Sequence, residues 1–232
     1  MSALYVFLME SMFKRRILAL LYPVRCPICG KIIFPHEDFC SECHDNLPKY
    51  YGNFNIENAE TFIAPFEYTD RISPAIILMK NGIKGNAPYA FGNAVSQCIK
   101  SHGIHRKTDI IIPVPLHYSD KRKRGFNQSE LIAMEVGRIL NINVCAECIE
   151  KVCITEPQKR LSKAERKNNL KDAFVLTAPE LIREKHVMLI DDVCTTGSTL
   201  AELTKILCQN GAASVYCVCC CKTPIKKDDK YD

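Results

Sequence analysis

Two adjacent carboxylates, Asp191 and Asp192, stand just before a hydroxyl-rich loop and are the residues of this chain best suited to chemistry. Four apolar residues, 187–190, precede them without alternation, as in a strand buried on both faces of a parallel sheet. After the loop, apolar residues recur at helical spacing as far as Gly211, which is placed to end the helix. The loop consists of Thr195, Thr196, Gly197, Ser198 and Thr199.

A loop between a strand and a helix N-terminus is an anion site, because free backbone N–H groups and the positive end of the helix dipole face it. The hydroxyl groups add donors, and Gly197 is expected to let the backbone approach a ligand. The aspartates repel a phosphate, but carboxylates bind the hydroxyls of a polyol or a Mg²⁺ ion. A phosphate, a diol and a metal in one crevice predict a phosphorylated ribose as the ligand.

A four-cysteine pattern near the N-terminus predicts a metal site. Two Cys-x-x-Cys pairs are separated by ten residues, and each pair places two thiolates on one side of a tight turn. Two disulfides or four unrelated thiols are the alternatives, and a reducing compartment favours zinc. Four thiolates leave no open coordination position, so a structural role is expected, with His36 and His44 as bystanders. The predicted ligands are Cys26, Cys29, Cys40 and Cys43.

The composition fits one medium domain with a small appendage in 232 residues, and the net charge of +5 is compatible with phosphorylated ligands or nucleic acid. The apolar N-terminal stretch is interrupted by Glu10 and by a basic run at 14–16, so no membrane span is expected. Its apolar residues also precede its charges, the reverse of a secretory signal. We expect a cytoplasmic protein that begins with an amphipathic helix.

A basic loop follows the second predicted buried strand, residues 109–116. The loop, residues 117–128, leads into a helix predicted from Ser129 to Leu140, so it repeats the strand–loop–helix arrangement. Loops of this kind converge at the carboxyl ends of parallel strands, so Arg124 is the best candidate to hold a pyrophosphate. A solvated charge run remains the alternative for residues 121–123. The candidate contacts to DNA or pyrophosphate here are Lys121, Arg122, Lys123, Arg124 and Phe126.

A third polar and basic segment spans residues 155–170. Residues 162–165 form a capping box that opens a short helix. The segment is interpreted either as a solvated helix or as a lid that excludes water from the site. Its candidate DNA or pyrophosphate contacts are Lys159, Arg160, Arg166 and Lys167.

Two further groups of cysteines lie later in the chain. Cys145 and Cys148 form a third Cys-x-x-Cys, for which a second metal or a redox role stays open. The run 215–221 carries four cysteines and is interpreted as a buried strand in which cysteine serves as a small hydrophobic residue.

These motifs, in this order, resemble the ComF family. The resemblance rests on the four-cysteine module, Pro113-Val114-Pro115-Leu116, residues 124–128, Gln158…Leu161…Arg166…Asn169 and residues 189–199. It implies an α/β fold: a type I phosphoribosyltransferase-like parallel sheet flanked by helices, with a small N-terminal zinc-binding module. It also implies that Asp191 and Asp192 hold the ribose hydroxyls of phosphoribosyl pyrophosphate (PRPP), with Mg²⁺ nearby, while residues 195–199 hold the 5′-phosphate.

The same resemblance implies a role in natural competence, in the uptake of single-stranded DNA, with a competence helicase as a candidate partner. The alternative is an active phosphoribosyltransferase that displaces pyrophosphate from PRPP onto an unknown acceptor, with Asp191, Asp192 and Arg124 as catalytic residues. The expected domains are an amphipathic helix in residues 1–22, a zinc finger in 23–50 and the phosphoribosyltransferase-like domain in 51–232.

Overall fold

A parallel β-sheet forms the centre of the computed structural model, which describes residues 21–81, 85–152 and 173–224. The main sheet has six strands in the order β1-β8-β7-β3-β4, with β2 pairing the end of β8, and every pair in it is parallel. β5 and β6 form a separate antiparallel pair. The strands are β1 Thr61–Ile63, β2 Phe66–Glu67, β3 Ile110–Pro113, β4 Asn143–Val144, β5 Ile149–Lys151, β6 Phe174–Leu176, β7 His186–Cys194 and β8 Ser214–Lys222.

Six α-helices lie in the described part of the chain. They are α1 Ser41–Asp45, α2 Ser73–Lys80, α3 Ala87–Ser101, α4 Tyr118–Arg124, α5 Gln128–Leu140 and α6 Ser198–Gln209, and short 3₁₀ turns occupy Ile104–Arg106 and Pro179–Leu181. None of the helices in residues 21–81, 85–152 and 173–224 is both long enough and apolar enough to cross a bilayer.

β7 and β8 are the two long central strands, and their side chains divide the core into two layers. Met188 and Ile190 pack with α3 and α5 on one face, whereas Val187 and Leu189 pack with α6 on the other. Successive side chains of a strand point to opposite faces, so a run without polar alternation is what a sheet covered on both sides requires. This confirms the parallel α/β fold expected from the sequence.

The cysteine-rich run lies in β8, where every residue is buried. Cys217 and Cys219 belong to the layer on the α6 side, and Cys220 belongs to the opposite layer. The cysteines therefore pack as small hydrophobic residues, as the sequence pattern predicts.

The four-cysteine module packs directly on the sheet domain. Phe39 of the module contacts Phe66 and Phe91, with ring centroids 6.3 and 6.0 Å apart. Asp38 accepts hydrogen bonds from Asn86, at its carbonyl oxygen, and from Asn93, at its carboxylate. The module and the sheet thus share one hydrophobic layer.

Two elements differ from the sequence-based expectation. Residues 118–124, predicted as a loop, form the helix α4, because His117 caps its first turn by accepting from the Ser119 N–H and Gly125 ends it with φ +78°. β7 also runs beyond Ile190 and includes both aspartates. The predicted lid (155–170) and nearly all of the predicted N-terminal helix (1–22) lie outside the described residues.

Candidate functional site

The candidate site lies where the carboxyl ends of β3 and β7 meet. The two strands are paired in parallel, with Pro113 beside Ile190, so the segments that follow them emerge at the same edge of the sheet. After β3, the Asn127 side chain donates to the carbonyl of Val114 over 2.9 Å and accepts from the N–H of Ser129 over 3.1 Å. Asn127 thereby fixes the start of α5 beside the end of β7.

A side-chain hydrogen bond joins the two strand–loop–helix units, in addition to the pairing of β3 with β7. Ser129 Oγ, in the first turn of α5, donates to Asp191 Oδ1 over 2.8 Å, and the backbone N–H of Asp192 donates to the same oxygen. Burial raises the pKa of Asp191 to about 7, the Asp192 charge adds to the increase, and the Ser129 bond opposes it. The Asp191 carboxyl is therefore ready to gain a cation or a hydroxyl donor.

The Asp192 side chain points to the opposite face of β7, where it forms an ion pair with a lysine. Its Oδ2 lies 2.7 Å from Lys80 Nζ, at the end of α2. Burial lowers the pKa of Lys80, but the Asp192 carboxylate outweighs it and the net change is upward. Lys80 was not predicted as a site residue, since no motif spacing connects α2 with β7.

The hydroxyl loop is shaped by its contacts with the segment that precedes β1. Gly197 has φ +78°, and a Cβ there would lie 2.5 Å from Ile56 Cδ1 and 3.0 Å from a ring carbon of Phe54. The positive φ and the packing beneath the loop therefore both require a glycine here. Thr195 and Thr196 are exposed, and Thr196 Oγ1 lies 2.9 Å from Ser198 Oγ.

The hydroxyl loop and the Asp191 carboxylate face the same small cleft. It is lined by Asp191, Val193, Cys194, Thr195, Gly197, Ser198, Thr199 and Leu200, and Asp192 is not among these residues. The start of α6 therefore forms one wall and the end of β7 the other. Backbone N–H groups at a helix start, beside hydroxyls and one carboxylate, can hold a phosphate next to a hydroxyl-bearing group.

In the basic segment after β3, two of the four predicted cations already have partners within the protein. Lys121 pairs with Glu130, with Nζ 3.0 Å from Oε2, and Arg124 donates to Gln128 Oε1 over 3.1 Å. Arg122 and Lys123 are exposed on α4.

Phe126 does not have the exposure that its predicted role requires. The sequence predicts that it stacks on a base, but the ring is only 7% exposed. The predicted contacts Lys159, Arg160, Arg166 and Lys167 lie outside the described residues.

The four predicted metal ligands converge. The Sγ atoms of Cys26, Cys29, Cys40 and Cys43 all lie within 4.8 Å of one another, and Cys29 and Cys40 are 3.6 Å apart. Tetrahedral zinc with Zn–S bonds of 2.3 Å needs sulfur atoms about 3.8 Å apart, so the cluster fits structural zinc. Gly30, with φ +75°, forms the first turn, and its N–H donates to the carbonyl of Cys26.

The third Cys-x-x-Cys pair is joined as a disulfide. Cys145 and Cys148 are bonded to each other between β4 and β5, and Cys148 is fully buried. Their sulfurs are therefore not arranged as ligands of a second metal in the described part of the chain.

Comparison with known proteins agrees with this architecture. Residues 93–232 match the phosphoribosyl transferase domain family, and residues 17–54 match the double zinc ribbon domain, although residues 17–54 hold a single set of four cysteines. The chain is therefore a phosphoribosyltransferase-type domain preceded by a zinc ribbon. Together with its relatives, this combination shows that the chain belongs to the ComF family.

Three relatives illustrate the family. DNA utilization protein YhgH of Shigella flexneri is 32% identical over 210 residues, which cover 85% of this chain and 90% of the relative. Competence protein F of Haemophilus influenzae is 36% identical over 201 residues, covering 82% and 81%. Competence protein ComFC of Bacillus subtilis is 24% identical over 196 residues, covering 82% and 73%.

Proposed function

We propose that this protein acts in the uptake and handling of single-stranded DNA during natural competence, through a site that binds PRPP or a related phosphorylated sugar with Mg²⁺. The relatives named for competence and DNA utilization support the biological role. The observation that supports the ligand is the shared cleft, in which Asp191 stands beside the hydroxyl loop at the start of α6.

Each part of a phosphoribosyl group has a matching part of the cleft. The 5′-phosphate accepts from the N–H groups and hydroxyls of residues 195–199. The ribose hydroxyls donate to Asp191, whose Oδ1 is already oriented by Ser129. Asp192 lies on the far face of β7, paired with Lys80 and outside the lining of the cleft.

Mg²⁺ fits the donor chemistry of this site. The ion prefers oxygen ligands and is bound in proteins through one or two carboxylates together with phosphate oxygens of the substrate. Asp191 would supply the protein carboxylate in the cleft, and the pyrophosphate of PRPP would supply further oxygens. The ion would neutralise the pyrophosphate charge beside Arg124.

The DNA part of the proposal is supported by exposed cations at the same edge of the sheet. Arg122 and Lys123 lie on α4, which follows the carboxyl end of β3. A strand whose 5′-phosphate occupies the loop can place its next phosphates near α4, where the attraction depends on salt but not on sequence.

Catalysis is the second candidate function. Arg124 is held by Gln128 at the end of α4, where its guanidinium can stabilise charge developing on a leaving pyrophosphate. Release of pyrophosphate from PRPP on addition of an acceptor, lost in Arg124→Gln, would establish the enzyme.

Calorimetric titration of the zinc-loaded chain with PRPP tests the ligand. We expect Mg²⁺-dependent binding that falls at least tenfold in the double variant Asp191→Asn with Asp192→Asn. The matched control is Asp70→Asn, which changes an exposed carboxylate outside the cleft. Equal PRPP affinity in the double variant and the wild type would contradict the assignment.

A further inference from the structure

A buried lysine lies under the hydroxyl loop. Lys222 is the last residue of β8, where it pairs in register with Cys194 of β7, and it is only 2% exposed. Its backbone is held on both sides, because its carbonyl accepts from the N–H of Tyr68 and the next residue, Thr223, donates its N–H to the carbonyl of Cys194. The position of the ammonium group is therefore set by the sheet.

The ammonium group contacts carbonyls and an aromatic ring. Nζ donates to the carbonyls of Thr195 and Thr223, each over 2.8 Å, and lies 4.2 Å from the centroid of Phe54. Within residues 21–81, 85–152 and 173–224, no carboxylate forms an ion pair with it. A buried charge without an opposite charge is costly, so a lysine here needs a reason that packing alone does not supply.

The hydrogen bond to Thr195 orients the loop. In a trans peptide the C=O and the following N–H point in opposite directions. Because Lys222 holds the Thr195 carbonyl toward the interior, the N–H of Thr196 points away from it, toward the exposed side of the loop. An N–H turned outward in this way can donate to an anion held by the loop.

The charge of Lys222, like its geometry, favours an anion in the hydroxyl loop. Burial lowers the pKa of Lys222, because removing the ammonium group from water disfavours its charged form. An anion in the loop would provide the negative charge that the surroundings of Lys222 lack, and the interaction would be strong in a poorly solvated interior.

We infer that Lys222 is a positioning residue for a phosphomonoester: it holds the hydroxyl loop in its phosphate-accepting conformation and supplies the buried positive charge beneath it. The inference rests on the proposed phosphoribosyl site and deepens it. Under this inference, a residue of β8 that lies outside the loop forms part of the phosphate site.

Three variants test the inference. Lys222→Met keeps the length and the contact with Phe54 but removes the charge and the bond to Thr195, and Lys222→Arg keeps both. Lys185→Met is the matched control, since Lys185 is exposed just before β7 at the opposite edge of the sheet. The probes are ribose 5-phosphate and inorganic phosphate, titrated by calorimetry after circular dichroism has established that each variant is folded.

We expect Lys222→Met to bind both probes at least tenfold more weakly, Lys222→Arg to bind within threefold of the wild type, and Lys185→Met to be unchanged. A purely structural lysine would lower the melting temperature of Lys222→Met without changing the affinity of the folded protein for phosphate, and this result would overturn the inference. The proposed PRPP site would survive that result.

A second measurement on the wild type covers the case in which Lys222→Met does not fold. The ¹H–¹³Cε signal of Lys222, assigned by its absence from Lys222→Arg, is expected to shift on saturation with ribose 5-phosphate. An unchanged signal, or a wild type that binds neither probe, would overturn the inference. Lys222-dependent binding of inorganic phosphate without Mg²⁺-dependent binding of PRPP would support it and reject the proposed ligand.

Discussion

Asp191 accepts its two hydrogen bonds on one carboxylate oxygen, from Ser129 and from the backbone N–H of Asp192. Within the described residues no donor reaches its second oxygen. A carboxylate that is oriented on one side and available on the other is suited to receive ribose hydroxyls or a cation. Its raised pKa is the consequence of keeping this carboxylate buried beside Asp192.

The raised pKa of Asp191 makes the stability of the protein dependent on pH. In the unfolded chain an aspartate loses its proton near pH 4, whereas in the folded chain Asp191 keeps it until about pH 7. The folded state therefore binds more protons in this interval, so the free energy of unfolding falls as the pH rises from about 4 to about 7 and is level above that.

Asp191→Asn removes this titration and keeps an oxygen that can accept from Ser129. We expect the melting temperature of Asp191→Asn, relative to the wild type, to rise by at least about 4 °C between pH 4.5 and pH 8. Thermal unfolding followed by circular dichroism measures the difference, with Asp70→Asn as the control. A difference that is constant with pH would mean that Asp191 ionises normally.

Single residues also show what the sequence could and could not reveal. The two carboxylates, the hydroxyl loop and the four cysteines were recognisable because each group is contiguous or regularly spaced. Lys80, Ser129 and Lys222 were not recognised as site residues, because tertiary packing brings them to β7 and its loop from distant positions in the chain.

The helix α4 was not predicted, because its sequence is dense in charge. Its sequence is polar and strongly basic and buries no residue, so it lacks the apolar periodicity from which helices are predicted. Its capping by His117 and its end at Gly125 make it a helix. As a helix it presents Arg122 and Lys123 at fixed positions, with Lys121 neutralised by Glu130.

Removing the two exposed cations of α4 is expected to weaken DNA binding. Replacement of Arg122 and Lys123 by Gln should lower the affinity for a single-stranded oligonucleotide and reduce the slope of log K against log salt by about 1.4, since each phosphate contact on a single strand contributes about 0.7. Fluorescence anisotropy at several salt concentrations measures both quantities.

The matched control for this change is the pair Lys107→Gln with Lys185→Gln. Both lysines are exposed and precede β3 and β7, at the opposite edge of the sheet. If the two double variants have the same salt slope, α4 does not contact the DNA.

At the scale of the whole molecule, the zinc ribbon and the sheet domain share one hydrophobic layer. Cys26, Cys43 and Phe39 are buried in the same cluster as Phe66 and Phe91. The sequence placed a domain boundary near residue 50 from composition alone, and composition carries no information about contacts across a boundary. The ribbon is thus expected to depend on its metal and the sheet domain on the ribbon.

Removal of zinc should therefore destabilise the whole protein. We expect Cys29→Ser, or treatment with a strong chelator, to lower the melting temperature of the main unfolding transition by at least about 5 °C, because metal binding contributes directly to folding free energy. Differential scanning calorimetry measures the transition, and Cys208→Ser, at an exposed cysteine outside the cluster, is the control. An unchanged main transition would show that the sheet domain is stable without the ribbon.

The most direct test of the phosphoribosyl site is a crystal structure of the zinc-loaded chain with PRPP and Mg²⁺. The account predicts the 5′-phosphate on the N–H groups of residues 195–199, above Lys222, and the ribose hydroxyls within hydrogen-bonding distance of Asp191. A ligand bound elsewhere, or a cleft that stays empty at saturating PRPP, would contradict it.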